Sequence, residues 1–342
     1  MARIVLGIGS SHAPQLATPP EQWGQRGAAD RKNPALIYKG KEYTFDELNT
    51  LRGAAFADQI VLSESTARYA RARAAIAKLD EIVREAKVDV LVIVSSDHKE
   101  TFNDETLAPF TLYWGDTVQH EPYTQEDLDA MPPGLAIAEV ANVPTVSTTR
   151  QTNRDLALHL IAGTQGAGFD PAASEHLPAG KFKDFGIPHG WGYIIQQVLG
   201  GVDVPPIVPV FVNTFWSPNA PSARRSYEFG VALGKAIESY PKDIRVGVVA
   251  SGGLSHFVVD EELDRALLQA LQDKDAEHLS SYTDDVLRAG TSEVRNWIVT
   301  AGALAGSNLQ AQVVDYVPAY RTEAGTGCGL GFVAWNEAKA ES

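Results

Sequence analysis

The sequence predicts an α/β protein with a mostly parallel central sheet flanked by helices on both faces. Short runs dense in Val and Ile recur along the chain without polar alternation, the pattern of strands covered on both sides. Longer stretches with apolar residues at helical spacing separate these runs, as a parallel sheet requires. The chain has 342 residues, 44% of them hydrophobic and 21% charged, which suits a large soluble core.

The strands are expected at "RIVLGIG" (3–9), "VDVLVIVSS" (88–96), "VPPIVPVFV" (204–212) and "IRVGVVASGG" (244–253). Weaker candidates are "VPTVST" (143–148), "AQVVDYV" (311–317) and "LGFVAW" (330–335). Helices are expected over 63–87, 152–163, 190–199, 222–239, 261–272, 275–289 and 291–306. Residues 14–60 break the alternation and read as an insertion near the mouth of a site, within one catalytic domain spanning 1–342. Thr44 and Glu47 have the spacing of a capping box, so a short helix is expected to start there.

The net charge of −14 argues against nucleic acid and anionic membrane as partners. No run reaches the roughly 18 apolar residues of a membrane span, and the amino terminus reads as a strand, not a signal peptide. Cys328 is the only cysteine, which rules out an internal disulfide and a Cys-based zinc site and fits a reducing cytoplasm. The glycines and apolar residues around it suit a tight approach to a final strand better than a thiol nucleophile. No dinucleotide fingerprint, Walker A motif or nucleophile elbow is present.

The histidines carry the chemistry. His12 ("GIGSSH"), His98 ("IVSSDH") and His256 ("VASGGLSH") each follow a strand end. Ligands bind beyond the carboxyl ends of the strands in open α/β sheets, so these three suggest a metal site at that edge. Histidine with carboxylate and no thiolate suits Fe(II), Mn or Zn, and two histidines plus one acid is the facial triad of non-haem Fe(II) oxygenases. Asp260, Glu261 and Glu262 lie nearby; they also suit the amino terminus of a following helix. His189, in "FGIPHGWGY" with Phe185 and Trp191 near, fits either a general base or a structural loop residue, and His120 either a pocket or a loop residue. Asp97 is placed either to orient the His98 ring or to bond the chain at the strand end. His159, His176 and His278 read as structural or surface residues.

Together "GSSHAP", "SSDH", "GIPHGW" and "GGLSHFVVDEELD" resemble the class III extradiol ring-cleavage dioxygenases, and most of all the family of the protocatechuate 4,5-dioxygenase β chain with the gallate and 3-O-methylgallate dioxygenases. The resemblance implies Fe(II) held by His12, His98 and a glutamate at a helix start, which matches Glu262 with Glu261 as the alternative. It implies His189 and His120 as catalytic histidines, and it moves His256 from ligand to pocket, with Ser255 beside it at the substrate. The expected reaction opens a catechol-type ring with O2, His189 taking and returning a phenolic proton. A substrate carboxylate would meet Ser255, Thr44, Arg150 or Lys181. The partners implied are a small aromatic diol or triol and O2, with a homo-oligomer, such as a dimer, or a separate small subunit closing the site. The competing readings are a Zn or Mn hydrolase on the same edge and a non-catalytic binding protein of the same fold.

Overall fold

The structure is a computed structural model, describing residues 1–53, 55–132, 134–179 and 186–337. Its strands are β1 (Arg3–Ser10), β2 (Leu36–Tyr38), β3 (Lys41–Tyr43), β4 (Val90–Ser96), β5 (Phe110–Tyr113), β6 (Thr117–His120) and β7 (Thr148–Gln151). There follow β8 (Ala172–Ser174), β9 (Ile207–Val212), β10 (Arg245–Ser251), β11 (His256–Val258), β12 (Gln310–Tyr320) and β13 (Thr326–Asn336). Nine of these form one sheet in the order β11-β13-β1-β10-β4-β9-β5-β8, with β12 also on β13. β1, β10, β4 and β9 run parallel at its centre. Antiparallel neighbours flank them, β13 beside β1 and β5 beside β9.

The apolar runs become strands because both of their faces are covered. Val90, Val92 and Val94 of β4 enter one core, while Leu91 and Ile93 enter the other. Helices Arg154–Gly166, Ala223–Ser239, Glu261–Asp273 and Val294–Leu304 supply residues such as Leu156, Phe229, Leu267 and Trp297 to the first core. Helix Leu62–Ala86 and the segment from His189 to Val198 supply Ile76, Leu79, Trp191 and Ile194 to the second. That segment begins as an α-helix and continues as a π-helical turn over Ile194–Val198.

Close backbone approaches set the positions of the helices. A Cβ on Gly9 of β1 would lie 2.2 Å from the Trp297 ring, so the strand leaves room for that helix to lie against it. Gly230 and Gly302 let helices Ala223–Ser239 and Val294–Leu304 cross with their backbones touching; a Cβ on Gly230 would lie 2.1 Å from the Val299 carbonyl oxygen.

Two expected elements differ from the sequence reading. In "VPTVST" only Thr148 is strand, because Pro144 offers no ladder donor and precedes an irregular turn. The helix expected over 275–289 stops at Ser281. Arg295 donates hydrogen bonds to the Leu287 carbonyl at 2.8 Å and the Asp284 carboxylate at 2.8 Å, which hold the following residues outside the helix.

Residues 14–60 fold as short helices and the β2–β3 hairpin. Thr44 and Glu47 form the expected capping box on helix Phe45–Arg52. Leu36, Phe45 and Leu48 close a small core with Val258 of β11 and Ala324. Asp30 ties the segment to β13 and to the turn before it by accepting two hydrogen bonds from buried Arg321, at 2.9 and 3.1 Å, and one from Thr326 at 2.7 Å. No helix among the described residues is long and apolar enough to cross a membrane.

Candidate metal centre

β1, β4 and β10 end side by side, and the turns beyond them carry the expected histidines. His12 is buried just past β1. Its Nδ1–H donates to the Ser251 hydroxyl at 3.0 Å, and that hydroxyl donates to the Gly190 carbonyl at 2.6 Å. This chain fixes the tautomer and leaves the Nε2 lone pair aimed outward, as a metal ligand requires. His98 follows β4 on a tight turn. Asp97 holds that turn by accepting from the backbone N–H groups of Glu100, Thr101 and Phe102 at 2.9, 3.1 and 2.7 Å. Asp97 is therefore a cap for the turn, and burial with the neighbouring Glu100 raises its carboxyl to a pKa of about 6.

The acid that meets these histidines is Glu293. It closes a 3-10 turn, Ala289–Glu293, at the start of the buried helix Val294–Leu304. Its Oε1 lies 2.6 Å from His98 Nε2, and its Oε2 lies 3.1 Å from His12 Nε2 and 2.5 Å from the Gly253 N–H. Burial pushes its pKa up, but His12, His98 and His256 together hold it well below the usual carboxylate range. His12 Nε2 is buried without a hydrogen-bond partner although Glu293 is 3.1 Å away. His12 Nε2 and the Glu293 carboxylate thus face each other across the site without a hydrogen bond between them. Two imidazoles and one carboxylate are the donor set that suits Fe(II), Mn or Zn, so the residues fit a divalent metal.

Glu262 is not at this place. Its side chain is 81% exposed and pairs with Lys39 at 2.6 Å on the surface. Glu261, the alternative, accepts from Tyr320 at 2.6 Å and from Arg265 at 2.9 Å. Both acids sit in the first turn of helix Glu261–Asp273, where the helix dipole favours them. No local pattern marks Glu293 in the sequence: the segment "SEVRNWIVTAGAL" that carries it mixes Arg295 and Asn296 with its apolar residues.

His189 opens helix His189–Tyr193. One ring nitrogen from each of His12, His98 and His189 lies within 4.8 Å of the others. The His189 Nδ1–H donates to Glu100 Oε1, and its backbone N–H donates to Glu100 Oε2 at 2.9 Å. Burial lowers its pKa, but Glu100 and Glu139 more than reverse this, to about 10. His189 is thus the third histidine of the cluster and pairs with Glu100, while Glu293 pairs with His12 and His98.

The other expected site residues are distributed as follows. His256 faces Glu293 at 3.9 Å through Nε2, its Nδ1–H donating to the Leu254 carbonyl at 3.0 Å. Thr291 bonds both its N–H and its carbonyl, so the turn that carries Glu293 also fixes His256. Ser255 does not present its hydroxyl to a substrate: it donates to Asp264 at 2.7 Å and accepts from the Asp260 N–H at 2.8 Å, fully buried. His120 is fully buried, its Nε2–H donating to the Asn142 carbonyl at 2.9 Å, and it is outside the group of three clustered histidines. Arg150 donates to the Gly201 carbonyl and Thr44 caps its helix. Lys181 and Phe185 lie outside the described residues. Cys328 is buried, which raises its thiol to a pKa of about 11 and suits a packing role.

This chain is similar to proteins of a known family. Residues 59–327 match the family model described as the catalytic LigB subunit of aromatic ring-opening dioxygenase. The chain is 24% identical over 310 residues to a 2,3-dihydroxyphenylpropionate/2,3-dihydroxicinnamic acid 1,2-dioxygenase of Paraburkholderia xenovorans, covering 75% of this chain and 86% of that protein. It is 33% identical over 150 residues to a gallate dioxygenase of Pseudomonas putida, covering 40% of this chain and 44% of that protein. A Rhodococcus jostii protein named as the first relative is 33% identical over 131 residues, covering 37% and 38%.

Proposed function

The chain belongs to the family of catalytic LigB subunits of aromatic ring-opening dioxygenases and is an extradiol ring-opening dioxygenase, and on that premise we propose that His12, His98 and Glu293 hold a single Fe(II). The observation that carries this is the convergence of His12 Nε2, His98 Nε2 and both Glu293 oxygens at the ends of β1 and β4. The substrate is a catechol-type ring with an acid group, in keeping with the relatives named for dihydroxyphenylpropionate and gallate.

Held by His12, His98 and Glu293, Fe(II) would supply the Lewis-acid and redox chemistry that ring opening by O2 needs. Two neutral imidazoles and one carboxylate leave a divalent ion with a local charge of +1, which a catechol monoanion neutralises, so binding buries no net charge. His189 takes the second phenolic proton on Nε2 and returns it as the ring opens. The adjacent Glu100 stabilises the protonated ring, which lets a single imidazole do both jobs. His120 braces the loop at Asn142 in this reading. The side chain of His98 is 25% exposed and Phe215 stands at its edge with ring centres 5.9 Å apart, so substrate enters on that side. Residues 14–60 act as an insertion beside the site within one catalytic domain, an arrangement supported by their packing on Val258, two residues from His256.

The test is anaerobic loading with Fe(II) followed by a panel of catechols, read by O2 uptake and yellow ring-open product. Stoichiometric O2 uptake with an acid-bearing catechol is expected. Turnover with Zn or Mn and no O2 consumption would replace this reading with the hydrolase.

A further inference from the structure

We propose that Glu100 is a positioning residue: it fixes the ring of His189 so that Nε2 is the nitrogen presented to substrate. The inference rests on the reading of His189 as the proton carrier.

Glu100 is 5% exposed and grips His189 at two points. One carboxylate oxygen accepts the backbone N–H at 2.9 Å and the other accepts Nδ1–H. With backbone and ring held by the same carboxylate, a flip of the ring would place a carbon against Oε1 and lose that bond. The imidazole is thus locked in both plane and sense.

Glu100 is itself held rigidly. Its backbone N–H is bonded by Asp97 in the turn after β4. The Tyr123 hydroxyl lies 3.5 Å from Glu100 Oε2 and 3.4 Å from Glu139 Oε2, bracing the far side of the carboxylate. The helix that His189 opens is pinned too: Trp191 Nε1–H donates to the Ile93 carbonyl of β4 at 3.0 Å. Gly190 permits this closeness, since a Cβ there would lie 2.1 Å from Ser95 Oγ and 3.3 Å from the His12 ring. A single turn therefore sends His98 toward Glu293 and Glu100 toward His189. Metal ligand and proton carrier are placed by the same few residues.

The experiment compares Glu100→Gln, His189→Ala and the double variant by iron content, kcat and KM, and adds a metal-free crystal structure of Glu100→Gln. Glu100→Gln is expected to keep its iron, lose about 10–100-fold in kcat and leave KM near the parent value. The double variant should be no slower than His189→Ala alone, because Glu100 acts through that ring. In the crystal the His189 ring should be rotated or split between two orientations. Parent kcat in Glu100→Gln, losses that multiply in the double variant, or an unmoved ring would each overturn the proposal. If Glu100→Gln does not fold, Glu100→Asp keeps the charge and shortens the arm; parent kcat there overturns the proposal equally. Undiminished turnover in His189→Ala would sink the proton-carrier reading, while the ring orientation in Glu100→Gln would still decide this one.

Discussion

Glu293 uses both carboxylate oxygens on groups of the site, one toward His98 and the other toward His12 and the Gly253 N–H. Glu293→Ala should therefore fold but emerge with little iron, whereas Glu262→Ala, altering an exposed ion pair, should keep full iron and full turnover. Metal analysis of the two purified variants separates them; iron loss in Glu262→Ala would return the ligand role to that residue. His12, His98 and His189 are legible in the sequence because a histidine directly beyond a buried strand, or on a Pro-Gly turn, is chemically conspicuous. Glu293 is not, because a strong competitor stands earlier in the chain: "DEELD" has the look of a ligand at a helix start. What separates the two acids is burial, and burial is set by a helix crossing that no local pattern records.

At the scale of elements, that crossing is the support for Glu293. Helix Val294–Leu304 lies against β1 through Trp297 and Gly9 and against helix Ala223–Ser239 through Gly230 and Gly302. Gly230→Ala pushes a methyl group into a backbone carbonyl and should lower stability by about 1–3 kcal/mol. The urea midpoint should fall with an unchanged slope. A variant with the parent midpoint would show the crossing to be looser than its geometry. The long central strands and helices are legible, since burial on both faces writes continuous apolar runs. β5, β8 and β11 are too short to show a period, and their pairing is decided by distant partners: β11 exists because β13 passes beside it.

At the scale of the whole molecule, Asp264 joins helix Glu261–Asp273 to β12 and to the loop after β10. It accepts from the Ser255 N–H and hydroxyl and from Tyr316, each at 2.7 Å. Burial nevertheless outweighs these bonds and raises its pKa to about 7. The native state then holds a proton that the unfolded chain releases near pH 4. The contribution is complete below that pH and declines as pH rises to about 7, by at most roughly 1.4 kcal/mol per unit. Asp264→Asn should remove that slope; urea titrations at pH 5 and 8 on both proteins test it, and an equal slope in each would assign the dependence elsewhere. Metal should act on global stability as well. Saturation at about 100 times Kd should raise Tm by roughly 4 °C, an increment absent in Glu293→Ala. Anaerobic calorimetry with and without chelator measures it.

The proposed donors, His12, His98 and Glu293, come from the beginning, the first third and nearly the end of the polypeptide. On that proposal, a chain emerging from the ribosome has no place for the metal until almost all of it has been made and the last long helix has docked. Loading is then a late event in the life of each molecule. Incomplete or misfolded copies are left without the means to bring oxygen and a reactive metal together.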